Sequence, residues 1–354
     1  MDQKLIFDLD FVSLQEVLHS WGEPSYRPLQ IWQGLYQRLW SRVDDFTNLP
    51  VALRRKLESE FIFQGLKPSI STQSSDGKTV KTAFLLYDGR TIETVLMRYN
   101  RRRSICVSTQ VGCAMGCHFC ATGQMGFQRH LSSGEIIEQV LFFARRLAFN
   151  GEKVTNVILM GMGEPFHNYD ETMAAIDRLN DTRGFNLGAR RFTVSTVGLI
   201  PSIRRFIIEK RQVNLAISLH AADNLSRSAL LPVNKKYHLE ELLEVCREYV
   251  EKTHRRITFE WALINGINDT REQAIELSKR LQIFRSTGSS LCHVNVIPLN
   301  PTLGYEGRTS QRKNVLAFQQ ELKKNGIPCT VRLRRGIDIQ AGCGQLASQP
   351  RIRR

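Results

Sequence analysis

Cys113-Ala-Met-Gly-Cys117-His-Phe-Cys120 decides how this chain is read. The three cysteines follow Ile105-Cys106-Val107-Ser108-Thr109, an apolar, β-branched run that predicts a strand. Helical spacing would put positions 113, 117 and 120 on one face, but Gly112, Gly116 and Gly123 oppose a continuous helix there. Three chemistries are open to such a loop. Thiolates are the usual ligands of a cubane iron–sulfur cluster, and three of them leave one iron free to chelate an amine and a carboxylate. A structural zinc site needs a fourth ligand, and His118, next to Cys117, must fold back to supply it. The third reading is three thiols in an apolar core. The spacing favours the cluster.

Outward from this loop the chain alternates. Strands are expected at 104–109, 154–160, 191–196, 213–219, 256–264 and 292–298. Helices are expected between and after them, at 134–149, 170–180, 199–210, 223–230, 239–253 and 270–285. Ser132 and Glu135 form a capping box for the first helix. A helix near 310–325 and a strand near 328–333 follow. Repeated strand–helix units imply a parallel sheet with right-handed crossovers. Six units are too few for the eight-unit barrel. The expected fold class is α/β, a partial (β/α)6 barrel over 104–346 that includes a C-terminal loop.

Residues 1–66 predict a small helical domain. Leu14, Val17, Leu18 and Trp21 share one helical face, and Leu29, Ile31, Trp32, Leu35, Tyr36, Leu39 and Trp40 another. Val51 to Phe63 reads as a third helix, ending at Gly65. Helical spacing marks these aromatics as core. Residues 67–103 read as a β-hairpin linker, with strand-like runs on either side of Asp88-Gly89. Residues 347–354 form a basic tail.

The 354 residues carry a formal charge of +15. Basic runs recur, among them Arg101-Arg102-Arg103 and Arg332 with Arg334-Arg335. That balance favours a polyanionic partner, most simply nucleic acid, and predicts a positively charged mouth around the site. No run approaches the ~18 apolar residues of a membrane span. The start, Met1-Asp2-Gln3-Lys4, lacks a basic-then-apolar leader. A cytoplasmic protein is expected, in which eight cysteines read as ligands, catalytic groups and buried thiols.

Ligands of parallel α/β folds sit beyond the carboxyl ends of strands. There the chain places the cysteine loop, Gly161-Met162-Gly163-Glu164-Pro165, Ser195-Thr196, Ser218-Leu219-His220 and Pro298-Leu299-Asn300-Pro301. Glu164 can accept from an ammonium group. Cys246, Cys292 and Cys329 fall on apolar positions and read as core. Cys343, between Gly342 and Gly344, reads as an accessible thiol whose basic neighbours favour the thiolate. Cys106 should point into the barrel.

With Phe119 before its last cysteine, the loop resembles the radical S-adenosylmethionine signature. Cys106-Val-Ser-Thr-Gln-Val-Gly-Cys113, Gly161-Met-Gly-Glu-Pro165, Cys292-His-Val-Asn-Val-Ile-Pro298 and Ala341-Gly-Cys-Gly-Gln-Leu346 extend the likeness over nearly the whole chain. It resembles the RlmN/Cfr family of radical S-adenosylmethionine RNA methyltransferases. The resemblance implies a [4Fe-4S] cluster on Cys113, Cys117 and Cys120. It implies S-adenosylmethionine on Gly163, Glu164, Ser195, Ser218, Leu219, His220 and Asn300. Cys343 would accept the methyl group, Cys106 would resolve the adduct, and Glu93 would accept a proton. Residues 1–66 would be an RNA-binding accessory domain. The implied reaction methylates carbon 2 of adenine 2503 in 23S rRNA, and of adenine 37 in tRNA, using two S-adenosylmethionine molecules.

The family's other branch methylates carbon 8 of the same rRNA adenine. Ala121-Thr122-Gly123 is shared with that branch, whereas Val111 after Thr109-Gln110 looks more like the first. The expected partners are the RNA and an electron donor such as flavodoxin or ferredoxin, with the enzyme a monomer and no membrane involved. Two other functions compete. A zinc-holding RNA-binding protein fits the charge but gives Cys343 and the Gly-Met-Gly-Glu-Pro loop no purpose. A radical enzyme acting on a protein or small molecule fits the motifs but not the charge.

Overall fold

The computed structural model describes residues 4–286 and 289–347, so the basic tail beyond Ala347 lies outside the described residues. The N-terminal helices are α1 (Phe11–Ser20), α2 (Arg27–Tyr36) and α3 (Val51–Glu60). Asp10 caps α1 by accepting the Ser13 N–H at 2.7 Å. Leu14, Leu18, Ile31, Trp32, Leu35, Tyr36, Leu53 and Leu57 are all buried, so the aromatics are core. Two helices are shorter than their apolar pattern predicts. The chain leaves α2 after Tyr36, and Leu39 takes a left-handed φ of 61°. After α3 it becomes extended, and Phe61–Ile62 pairs in parallel with Lys4–Leu5.

One ten-stranded sheet runs through the rest. Its strands are β1 (Lys67–Gln73), β2 (Thr79–Leu85), β3 (Thr91–Arg98), β4 (Arg103–Cys106), β5 (Asn156–Leu159), β6 (Phe192–Thr196), β7 (Asn214–Ser218), β8 (Ile257–Leu263), β9 (Cys292–Pro298) and β10 (Cys329–Val331). They lie side by side in chain order. From β4 to β10 every pair is parallel. From β1 to β4 every pair is antiparallel. The expected hairpin is therefore a three-stranded extension of the barrel sheet itself. Its first strand escapes the sequence pattern because every residue from Lys67 to Gln73 is exposed, so no buried face imposes alternation.

Parallel strands need crossovers, and helices supply them. These are α4 (Ser133–Ala148), α5 (Tyr169–Asn180), α6 (Ile200–Ile208), α7 (Asn224–Leu230), α8 (Leu239–Thr253), α9 (Arg271–Leu281) and α10 (Arg312–Lys324). The Ser132–Glu135 capping box is present at α4. The strand interiors are near-continuously apolar, with Ile105, Val157, Val194, Ile217, Phe259 and Val294 buried, as a sheet covered by helices requires.

The sheet is open between β10 and the antiparallel extension. The segment after β10 crosses that gap. Asp338 accepts the Ser75 N–H at 2.7 Å, Lys81 Nζ donates to the Gln340 carbonyl at 3.2 Å, and the Ala347 N–H donates to Glu93 at 3.0 Å. Gly336 packs against Thr79, where an added Cβ would lie 2.8 Å from the threonine methyl. The C-terminal segment thus lies across the open side and carries Cys343 to the strand ends.

Candidate active site

The loop with the three cysteines is framed by an antiparallel ribbon, Gln110–Gly112 against Phe127–His130. Gly112 closes it with a φ of 72°, and an added Cβ would lie 1.8 Å from the Gly126 carbonyl oxygen, so only glycine serves. Cys113 and Cys117 are buried and Cys120 half-buried, and all three line one cavity of about 120 Å³. Burial pushes the Cys113 thiol up to about 12 and the Cys117 thiol well above its ordinary range, and neighbouring cysteines add to both shifts.

The three therefore stand close enough to feel one another's charge. Among the described residues no three His, Cys, Asp or Glu side chains converge as the ligands of a single ion would. His118 faces outward and bonds the Ala229 carbonyl at 2.8 Å, so it does not join the cysteines. Three thiols on the wall of a roomy cavity suit a cluster, with space beside it for a second molecule.

The other sequence-selected residues meet the same cavity. Gly163, with φ 102°, brings its backbone against Gln110, where a Cβ would lie 2.6 Å from the Gln110 side chain. Glu164 is buried beside it and pushed up to about 7 by burial, while the Phe166 and Val197 N–H groups, each at 2.9 Å, hold its oxygens. The Thr196 side chain is a third hydrogen-bond partner of the same carboxyl.

Ser195 and Ser218, at the ends of β6 and β7, place their hydroxyls 3.4 Å apart. His220 has a left-handed φ of 61° and accepts the Ala262 N–H on Nδ1 at 2.9 Å. Burial holds its ring down at about 3, so it is neutral and carries its proton on Nε2. Asn300 lines the cavity with its Oδ1 buried and unpartnered, an acceptor waiting for a donor. Leu219 alone of this set lies off the cavity wall; it is buried, and its N–H donates to the Glu260 carbonyl at 3.0 Å.

Cys343 lies on the same cavity wall and also on that of an adjoining, smaller cavity of about 40 Å³. Cys106, the last residue of β4, lines the second one. Met160, Ile297 and Asn300 line both, so the two spaces meet at Cys343. The sequence predicts a loose, glycine-flanked loop here, and the loop is tied instead. Asn300 Nδ2 donates to the Cys343 carbonyl at 3.1 Å, the Ala121 N–H to the Gly344 carbonyl at 2.8 Å and Thr122 Oγ1 to the Leu346 carbonyl at 2.6 Å. Nor do the basic neighbours hold the thiol down. Cys343 is exposed only into its cavities, and desolvation pushes it up to about 11 against the pull of Arg332. Cys106 is pushed up to about 12, first by burial and then by Cys343.

Glu93, like Leu219, lines neither cavity. It is buried in β3, paired with Lys81 Nζ at 2.9 Å and covered by the Ala347 N–H. Cys246, Cys292 and Cys329 are core, as their positions predict.

Three charged residues escape the sequence pattern. Arg227 on α7 is fully buried and donates to the carbonyls of Leu219 at 3.2 Å and Val197 at 2.7 Å and to Asn234 at 2.8 Å. Burial pulls it down to about 10, and Cys117 is its chief opposing charge. Glu260 in β8 is buried on the wall of the cavity that the three cysteines line, where Asn295 Nδ2 donates to both its oxygens, at 2.9 and 3.2 Å. Arg332 faces the thiol cavity. Burial opposes its charge, but Glu260, Cys343, Tyr99 and Cys106 more than offset that. A single Arg or Glu in a helix or strand reads as solvent-facing, and only the long-range packing reveals otherwise.

The family model for the Radical SAM superfamily matches residues 107–278, and that for the ribosomal RNA large subunit methyltransferase N-terminal domain matches residues 5–62. The chain is 48% identical to the probable dual-specificity RNA methyltransferase RlmN of Chloroflexus aurantiacus, over 99% of its own length and 94% of the relative's. It is 49% identical to the dual-specificity RNA methyltransferase RlmN 1 of Myxococcus xanthus, over 96% and 93% of the two chains. A crystal structure of a radical SAM methyltransferase from Sphaerobacter thermophilus superposes with a TM-score of 0.94 at 46% identity, covering 98% of this chain and all of that one. Relatives this close span both N-terminal helices and barrel, and the chain belongs to the RlmN family of radical S-adenosylmethionine RNA methyltransferases.

Proposed function

We propose that this enzyme methylates carbon 2 of an adenine in 23S rRNA, and also in tRNA, by way of a methyl group carried on Cys343. The observation that carries the reading is the position of Cys343, on the wall between the cluster cavity and the cavity that holds Cys106. Carbon 2 of adenine lies between two ring nitrogens and is electron-poor, so it does not displace a methyl group from a sulfonium. A thiolate does.

Cys113, Cys117 and Cys120 would hold a [4Fe-4S] cluster. Ser195, Ser218, His220, Asn300 and the Gly163-Glu164 backbone would hold S-adenosylmethionine, with the Leu219 backbone completing the strand end. Bound there, the cluster would supply the electron for reductive cleavage of the second S-adenosylmethionine, and with it the radical chemistry that activates a methyl group on Cys343. The chain's own residues do the rest. Cys343 accepts the first methyl group as a thiolate, and its tied loop keeps that carbon facing both cavities. After the carbon joins the base, Glu93 would take the carbon-2 proton, which requires the C-terminal segment to release it from the Ala347 N–H, and the adduct's unpaired electron would pass back to the iron–sulfur group that supplied it. Cys106 then attacks the sulfur of Cys343. The carbon–sulfur bond breaks, the methylated base leaves, and a disulfide remains for an external thiol to reduce.

The N-terminal helices, residues 1–66, serve as the accessory RNA-binding domain. A flavodoxin or ferredoxin is the electron donor, and the enzyme acts as a monomer. The test is mass spectrometry of nucleosides from 23S rRNA treated with the cluster-loaded enzyme, S-adenosylmethionine and a reductant. 2-Methyladenosine is expected. 8-Methyladenosine would move the enzyme to the branch that Ala121-Thr122-Gly123 favours, and no methylated adenosine in rRNA or tRNA would overturn the reading.

A further inference from the structure

We propose that the turn Tyr99–Arg102 and the segment Leu333–Arg335 form the lip by which single-stranded RNA is held while its target base enters the thiol cavity. This deepens the functional reading above and rests on it for the identity of the ligand. The turn joins β3 to β4, with the Tyr99 N–H donating to the Arg102 carbonyl at 2.8 Å. It is only a short strand from Cys106. The segment Leu333–Arg335 follows β10 and leads to Cys343. Tyr99, Leu333, Arg334 and Arg335 all line the cavity that Cys106 and Cys343 share.

The lip has the composition that recognises an extruded nucleotide. Arg102 and Arg335 both lie over the Tyr99 ring, at 5.1 and 4.6 Å from its centre. The ring holds two guanidinium planes in place, so their donors are ready for phosphate oxygens without a further loss of side-chain freedom. Arg101, Arg102 and Arg334 are exposed, and among the described residues no carboxylate pairs with them. Their neighbours differ. Arg98 and Arg103 both pair with Glu152, and Arg335 lies 3.6 Å from Asp76. Arg334 lines the thiol cavity and Arg102 lies over the Tyr99 ring that also lines it, so unpaired charge stands at the cavity mouth. Leu333 is 73% exposed in the midst of it, an apolar surface for a base face next to phosphate-binding cations. A protein partner would meet few hydrogen-bonding groups here besides guanidinium donors. A polyanion with flat apolar bases fits both features.

The experiment measures the affinity of the cluster-loaded enzyme for an in vitro transcribed 23S rRNA fragment across a salt series. Arg102→Glu with Arg334→Glu should weaken binding roughly tenfold or more and lower the salt slope by about 1 to 2, as two lost phosphate contacts require. Arg204→Glu with Lys279→Glu, on the outer helices, makes the same change in net charge and should leave both values close to those of the unaltered enzyme. Tyr99→Ala changes no charge yet should weaken binding, and Tyr99→Phe, which keeps the ring, should restore it. Equal affinity and slope in the unaltered and Arg102/Arg334 proteins would overturn the proposal, as would equal losses from the two charge-reversed pairs. Should the double variant fail to fold, the two Tyr99 variants decide alone, and no loss with alanine overturns the lip. Methylation by the unaltered enzyme is scored separately. If it is absent while the binding differences persist, the methyltransferase reading falls and the lip stands.

Discussion

Asn300 holds Cys343 by the backbone: its Nδ2 donates to the Cys343 carbonyl at 3.1 Å, while its Oδ1 is buried and unpartnered in a side chain that lies on the wall shared with Cys113, Cys117 and Cys120. One side chain thus ties the Cys343 loop with its donor and keeps an unused acceptor beside the cavity. Gly342 makes the approach possible, since a Cβ there would lie 2.6 Å from Asn300 Nδ2.

Asn300→Ala should therefore weaken two things together. S-adenosylmethionine affinity should fall about tenfold, the value of one good hydrogen bond to a buried group. Methylation of Cys343 should slow as its loop loosens. Calorimetric titration and the intact mass of the protein report the two separately. Loss of neither would mean that Asn300 is a spectator.

Cys106→Ala should stop turnover after the carbon has joined the base. Cys106 lines the cavity on which Cys343 also opens, and no other described cysteine does. A covalent protein–RNA adduct should appear on a denaturing gel, dependent on S-adenosylmethionine and absent from Cys343→Ala. Full turnover without an adduct would remove Cys106 from the reaction.

Most of the barrel is legible in the sequence because its strands are buried on both faces and its helices on one. The long apolar runs at 156–159, 192–196 and 214–218 and the amphipathic faces of α4 and α8 leave little choice. The strand-end residues followed from the same register. What stayed hidden depends on residues distant in sequence. The edge strand β1 has no buried face. The tie between Cys343 and Asn300, and the crossing of the gap by the C-terminal segment, join parts of the chain that no local period connects. Arg227, Glu260 and Arg332 look like surface charges until the loops around them close.

Arg227→Leu should be among the most damaging single changes outside the cysteines. It strands the Leu219 and Val197 carbonyls and Asn234 in a site without water access from the surface side. A loss on the order of 3 kcal/mol is expected. It should appear as a lower melting temperature and weaker retention of iron. An unchanged melting temperature would contradict the network's role.

Glu138 gives a pH test of the joint between the N-terminal helices and the barrel. It is buried on α4 and accepts the N–H groups of Gly65 at 2.9 Å and Leu66 at 3.1 Å. Burial pushes its carboxyl up to about 8, against the pull of those N–H groups and of Arg145. The sign follows from linkage: the folded protein favours the protonated form, so this contribution is full below the ordinary carboxylate range and is lost as pH rises through about 8. The melting temperature of Glu138→Gln should gain on that of the unaltered protein between about pH 5 and 8, the window between the ordinary carboxylate value and the raised one, and level off above it. Parallel curves would contradict the assignment.

The most direct measurement follows one carbon. The cluster-loaded enzyme is first given S-adenosylmethionine labelled in its methyl group, washed, and then given RNA with unlabelled S-adenosylmethionine and a reductant. The account predicts label on the peptide that contains Cys343, followed by its transfer to the adenine base, and no methylation of RNA by Cys343→Ala. Methyl transfer to RNA by Cys343→Ala, or a first-turnover product carrying only unlabelled carbon, would contradict it.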